Sequence, residues 1–290
     1  MTPPAPNGDE PLAEALNHCT ALAREHARDE WLGALYAPAG SRDALFALAS
    51  FDHEIRQARW RARDPNLAAL RIAWWREATL GGRETEAAGS PIALALSAAI
   101  KAFALPAKAI DAMLDARLIE IAPPDGFALA DFDRYAADSE GARLGLIARA
   151  TAGGQDLDAA EASAPAGIAF ALTRMLASLP FQAGAGPTLF PADVAERHGA
   201  TRADLDASRA TPGVIAACAE LRALARKRLV EAERRLRTSP PAILPAFVPL
   251  GALRLDLDRL ERCAAKPFDP APEASALRRQ WAIWRWARRL

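Results

Sequence analysis

The stretch from Gly167 to Pro191, GIAFALTRMLASLPFQAGAGPTLFP, constrains the fold more than any other. Ile168, Ala171, Leu172, Met175, Leu176 and Leu179 recur at the spacings of one helical face, which predicts a buried helix. Thr173, Arg174 and Ser178 fall off that face. The helix is expected to stop at Pro180, where a Gly/Pro/Ala loop from Ala183 to Pro187 leads to Leu189, Phe190 and Pro191. A buried helix needs walls, so the rest of the chain must provide packing partners around it.

Those partners read as helices too. Ala, Leu, Arg and Glu dominate, the period is helical, and Pro or Gly punctuates the pattern. The predicted helices are 12–35; 42–63 with Ser41 as N-cap; 66–80; 91–103; 107–121; 131–152 with Asp131 as cap; and 157–179. Short helices follow at 191–198 and 202–207, then longer ones at 211–237, 246–262 and 273–290. No alternating strand pattern and no repeat occurs. The expectation is an all-α single-domain helical bundle over residues 12–290, preceded by a flexible tail, 1–11, without signal-peptide character.

At 290 residues and 51% hydrophobic, the chain can bury one large core. Lys plus Arg and Asp plus Glu are both 36, so no basic excess points to nucleic acid. Three scattered cysteines suit a reducing compartment, and the four histidines form no zinc spacing. No run of about 20 apolar residues is apparent, so no membrane span is expected. The expected location is cytoplasmic, with peripheral contact at the inner membrane left open.

The central stretch resembles the second substrate-binding motif of the squalene/phytoene synthases, roughly G-x-A-x-Q-L-T-N-I-L-R-D-x-x-x-D. Gly167, Ala169, Leu172, Thr173, Leu176 and Pro191 stand in step with it. Leu35-Tyr36, Arg42, Ala47-Leu48 and Phe51 are similar to that family's approach to its first aspartate motif; Tyr135 and Gly141 are similar to its Y-C-x-x-V-A-G-x-V-G helix. The resemblance implies an isoprenoid synthase bundle around a central cavity, with Arg42, Phe51, Gln57, Arg76, Tyr135, Gly141, Thr173 and Arg174 as candidate lining residues. It also implies head-to-head joining of prenyl diphosphates by Mg²⁺ held between two D-x-x-x-D motifs, because a leaving diphosphate needs its charge neutralised by a hard cation on carboxylate oxygens.

Here both motifs are lost. The first pair of aspartates falls on Arg56 and Trp60, and the second on Ser178 and Gln182. No catalytic residue, metal or cofactor is therefore expected. The pattern Phe51-Asp52-His53-Glu54-Ile55-Arg56-Gln57 is similar to a branch of the same superfamily that holds a mitochondrial complex I assembly factor. That resemblance implies a non-enzymatic role with complex I subunits as partners. Two alternatives stay open: a Mg²⁺-dependent prenyl transferase with a metal site rearranged around Asp52, Glu54 and Asp111 or Asp115, and a carrier of a prenyl lipid.

Other features have two readings. Asp111 and Asp115 read as a relocated metal site or as a solvated face with Asp115 available to Arg117 or another basic residue. Trp74-Trp75-Arg76 reads as core with a pairing arginine or as a phosphate contact. His53 reads as a surface or hydrogen-bonded core residue, Asp204, Asp206, Asp256 and Asp258 read as surface, and 222–237 reads as a solvated basic face. At the C-terminus, Leu277, Trp281, Trp284 and Arg288 share one helical face while Arg278, Arg285 and Arg289 line another. That suits a membrane interface or partner groove, or tryptophans packed on the body with solvated arginines.

Overall fold

A computed structural model describes residues 10–62, 64–82, 89–182 and 188–290. All regular structure among them is helical. The helices are α1 (Glu10–His26), α2 (Arg28–Ala34), α3 (Arg42–Arg61), α4 (Pro65–Leu80), α5 (Pro91–Phe103), α6 (Ala107–Ile121) and α7 (Leu129–Ala136). Then come α8 (Ala142–Thr151), α9 (Ala160–Ser178), α10 (Ala192–Arg197), α11 (Arg202–Asp206), α12 (Pro212–Leu236), α13 (Leu250–Arg262) and α14 (Ala276–Ala287).

Their ends follow the local chemistry. Asp64, Ser90, Thr211 and Ser275 each accept a backbone N–H in the first turn of the helix they open. Ser41 differs from expectation: its hydroxyl donates to the Pro38 carbonyl and leaves the α3 N-terminus uncapped. Asp131 sits inside the first turn of α7 and accepts from the Ala128 N–H. The single helix expected over 12–35 breaks at Ala27, and the one expected over 131–152 carries a π turn at Ala137–Gly141. Of the expected tail, residues 10 and 11 already belong to α1, and the rest lies outside the described residues. So does the loop from Ala183 to Pro187.

α9 runs through the middle of the bundle. It packs most extensively on α12, and then on the π turn. Its apolar face is buried as expected, but Thr173 is buried as well, its hydroxyl donating to the Ala169 carbonyl at 2.7 Å. Contrary to the sequence expectation, the segment Ala160–Phe181 is long and apolar enough to cross a membrane by length and composition; most of it is buried inside the bundle, where a core helix passes the same test. Gly167 sets how closely the π turn approaches: a Cβ there would lie 2.4 Å from the Gly141 nitrogen. α1 and α5 pack on α3, α4 packs on α6, and α13 carries α14. The fully buried Phe51, Phe132, Leu48, Ile55 and Ile72 belong to one continuous core, each contributing about 1.5–3 kcal/mol by leaving water.

Candidate functional site

The centre of the bundle is a cluster of charge. Asp52 and Arg56 lie one turn apart on α3, and Arg56 Nη2 contacts Asp52 Oδ2 at 2.7 Å. Arg117 and Glu120 come from α6, Tyr135 from α7, Glu140 from the π turn, Arg143 from α8 and Arg174 from α9. Asp52, Arg117, Glu140 and Arg143 are each only 1 or 2% exposed. Arg117 donates to Asp52 Oδ1 at 3.1 Å and also to Glu120, which accepts from the Tyr135 hydroxyl at 2.5 Å. Arg143 Nε donates to Glu140 Oε2 at 3.0 Å, and Arg174 donates to Glu140 Oε1. Arg143 also faces Glu30 of α2 at 3.8 Å, and its guanidinium lies over Phe170.

These contacts explain the titration behaviour. Burial alone would push the Glu140 carboxyl up, but Arg174, Arg143, Arg56 and Arg117 outweigh it and hold the group well below the usual carboxylate range. Burial likewise works against the charged forms of Arg117 and Arg143, yet the carboxylates beside them keep both strongly protonated. Arg56 is shifted down by burial and then by repulsion from Arg174. Tyr135 is held protonated by burial and by Glu120. The centre is an ion-pair lattice in which opposite charges restrain one another.

A cleft of about 810 Å³ adjoins this lattice and shares Glu30, Arg56 and Arg174 with it. Phe170, Leu176, Leu179, Phe181 and Leu260 supply apolar wall. Of the candidate lining residues, Thr173 and Arg174 line this cleft. The structure places the others elsewhere. Arg42 donates to the Ala37 and Leu35 carbonyls, closing the turn before α3. Phe51 is fully buried and edge-on to Trp75, which itself contacts Trp74. Gln57 is half-buried outside the cleft lining. Tyr135 belongs to the ion-pair lattice, and Gly141 to the close approach of the π turn and α9.

Arg76 lies on the outside, paired with Asp111 at 2.6 Å and with Asp115. That pairing answers two readings together: the two aspartates form a solvated face, and their partner is Arg76, because Arg117 turns inward to Asp52. His53 stacks on His26 with ring centroids 4.7 Å apart. The basic stretch from Arg222 to Arg237 is less solvated than expected. Arg222 is buried, while Arg228 and Arg235 reach Asp133 and Glu161 on other helices. Asp256 is an inter-helix anchor rather than plain surface: with Asp29 it holds Arg279, tying α14 to α13 and α2.

The positions aligned with the lost aspartates test whether Mg²⁺ fits. Arg56 is a cation committed to Asp52, and Trp60 is half exposed beneath the Arg59 guanidinium. The Ser178 hydroxyl donates to the Met175 carbonyl and accepts from Gln182 Nε2 at 2.6 Å. The two fully buried carboxylates nearby, Asp52 and Glu140, already face arginines. In the lattice, the buried polar atoms that make no hydrogen bond are donors, Arg117 Nε and Arg143 Nη1 and Nη2, the last two facing Glu30 and Glu140. At the aligned positions the one such atom is the neutral amide oxygen of Gln182, and the buried carboxylates are already paired with arginines, so this set does not fit a divalent cation. Among the described residues, no group of three or more His, Cys, Asp or Glu side chains is placed to hold a metal ion.

The solved structures on which this all-helical bundle superposes give it the isoprenoid synthase fold. A family model described as squalene/phytoene synthase matches residues 10–285, and the chain belongs to that family. It is 22% identical to the mouse protein named "NADH dehydrogenase (ubiquinone) complex I, assembly factor 6" over 254 residues, which is 88% of this chain and 76% of the relative. The human protein of that name matches with the same identity over 255 residues. Among solved structures, a dehydrosqualene synthase in complex with ligand superposes with a TM-score of 0.79 at 14% identity, covering 96% of this chain and 97% of that one. The squalene synthase HpnC from Alicyclobacillus acidocaldarius gives 0.73 at 20% identity, with coverage of 89% and 97%. The branch expected from the sequence is the one that the mouse and human relatives represent.

Sequence reasoning missed Arg117, Glu120, Glu140, Arg143 and Glu30 as members of the centre. The signal was only partial. Asp52 closes the run 44–51, which is apolar except for Ser50, and Arg117/Glu120 and Glu140/Arg143 are opposite charges one helical turn apart, a spacing that also suits a solvated face.

Proposed function

We propose that this chain is a non-catalytic member of its family that acts by binding, in the assembly of respiratory complex I, with subunits of that complex as its partners. The observation that carries the reading is the arginine-rich lattice at the bundle centre. Arg56 stands where the family resemblance places a metal-binding aspartate, and it neutralises the nearest buried acid, Asp52. A guanidinium there repels a divalent ion, and the acids that could attract one are already compensated. The names of the mouse and human relatives support the same reading.

The test is deletion of the gene in its host. NADH:quinone oxidoreductase activity is expected to fall, with isoprenoid products unchanged, and the wild-type gene should restore it. Unchanged oxidoreductase activity in the deletion strain would refute the proposal. A second reading, that the cleft holds a prenyl or other lipid chain without reacting it, is favoured by the apolar wall of Phe170, Leu176, Leu179 and Phe181. Mass spectrometry of lipid retained through purification tests it; protein that is free of lipid when isolated from its host would argue against it.

A further inference from the structure

The outer face of α14 carries a row of arginines without counter-charges among the described residues. From Ala276 to Leu290 there are five arginines and no acid. Arg279 alone turns inward, to Asp29 and Asp256. Arg278, Arg285, Arg288 and Arg289 are exposed and have no acidic partner among the described residues. Beside them, Leu277 is 79% and Trp281 57% exposed. Trp281 stacks on Trp284 with centroids 4.6 Å apart, and the Arg288 guanidinium lies 5.0 Å from the Trp284 ring centre.

Next to this face, a groove of about 390 Å³ runs between α13 and α14, lined in part by Arg278, Trp281, Arg285, Trp286 and Arg289. Its one acid, Asp258, is held by Arg226 at 3.0 Å. A further arginine of the lining, Arg254, is taken by Glu233. Trp286 is buried, and its Nε1–H has no acceptor. A buried donor without a partner is costly, and an acceptor oxygen entering the groove would relieve it. The groove exists because Gly251 lets the helices approach closely: a Cβ there would stand 2.6 Å from the Ala282 carbonyl oxygen.

We infer that α14 is a docking face for an anionic membrane surface, with the groove taking a lipid phosphate and the exposed Leu277 and Trp281 entering the headgroup layer. The pattern fits a lipid surface better than a protein patch. Phosphates supply acceptors along the whole arginine row, and tryptophan with flanking arginine is suited to the depth where apolar chains meet headgroups. This inference is independent of the assembly reading and concerns only where the molecule rests.

The test is co-sedimentation of the full-length protein with vesicles of pure phosphatidylcholine and with vesicles of equimolar phosphatidylcholine and phosphatidylglycerol. Binding is expected to the anionic vesicles alone and to weaken as salt rises, because screening shortens the reach of the arginines. Each arginine near the surface contributes about fivefold, so Arg278→Gln, Arg285→Gln and Arg289→Gln together should lower partitioning about a hundredfold. These side chains are exposed, so the triple variant should keep its circular dichroism and melting temperature. Trp281→Ser, a single exposed change, should also weaken binding and provides a variant that folds if the triple one does not. Competition with inorganic phosphate separates the two sources of phosphate: little displacement is expected if a lipid surface is bound. Equal binding to both vesicle types would overturn the inference. So would wild-type binding by both variants, full displacement by free phosphate, or binding to an acidic protein with none to vesicles.

Discussion

Glu140→Gln is the most informative perturbation of the lattice. The substitution keeps the shape of the side chain and one acceptor oxygen but deletes the charge. Glu140 accepts from Arg143 at 3.0 Å and from Arg174, and it lies 4.0 Å from Arg117. At an effective dielectric of about 20, one pair at 4 Å attracts by about 4 kcal/mol, while desolvation costs several kcal/mol per buried ion. With the glutamate charge gone, Arg117 and Arg143 remain buried with Asp52 as their one fully buried counter-charge. Breaking a buried pair from one side costs about 3–5 kcal/mol. For a protein of this size that corresponds to a fall in melting temperature of roughly 6–20 °C. The assay is thermal and urea unfolding by circular dichroism, with Glu161→Gln as control. Glu161 pairs with Arg235 at 2.8 Å, but both side chains are exposed, so its loss should be barely measurable. A Glu140→Gln variant that melts within the error of Glu161→Gln would refute the idea that the buried ion pairs hold the centre together.

Further expectations follow from the same geometry. Because arginines hold the native Glu140 carboxyl low, its stabilisation is complete above the unfolded carboxyl range near about pH 4.3. It drains away as pH falls through the lowered native value, since the unfolded chain takes up the proton first. Unfolding curves of Glu140→Gln should therefore vary less with pH in this acid range than wild type, and parallel curves would contradict the assignment. Arg56→Asp puts a second carboxylate beside Asp52 and should lower stability by about 3 kcal/mol or more; its melting temperature should not rise when Mg²⁺ is added, and a metal-dependent rise would show that a cation site is easily rebuilt. Gly167→Ala drives a Cβ into the Gly141 backbone and should cost about 3 kcal/mol in urea unfolding, at or beyond the upper end for overpacking; a neutral result would mean that the π turn yields. Arg279→Ala leaves Asp29 and Asp256 without their shared cation, so limited proteolysis should release the α14 segment sooner than in wild type.

Most helices were legible because proline and glycine mark their ends: Pro65, Pro91 and Pro212 each stand at the start of a helix, and Gly81 follows α4. The break at Ala27 carries no such punctuation, and the π turn ends on Gly141, whose part in the close approach to Gly167 appears only in the packing. The loss of the aspartates was legible letter by letter. What replaces them was not, because arginine in a helix ordinarily signals a solvated face, and burial of Arg117 and Arg143 depends on acids brought in from other helices. Arg76 had two readings, and the structure shows the pairing one: its helix resembles one at the cavity, yet the side chain turns out to Asp111 and Asp115.

The central claim is that the charges at the bundle centre hold one another and leave no place for the cations that would detach a diphosphate. Incubation of the purified protein with farnesyl diphosphate and Mg²⁺, followed by measurement of released pyrophosphate, tests it most directly. The account predicts release no faster than in buffer, unchanged by Asp52→Ala in protein shown to remain folded. Mg²⁺-dependent release that disappears in Asp52→Ala would contradict it.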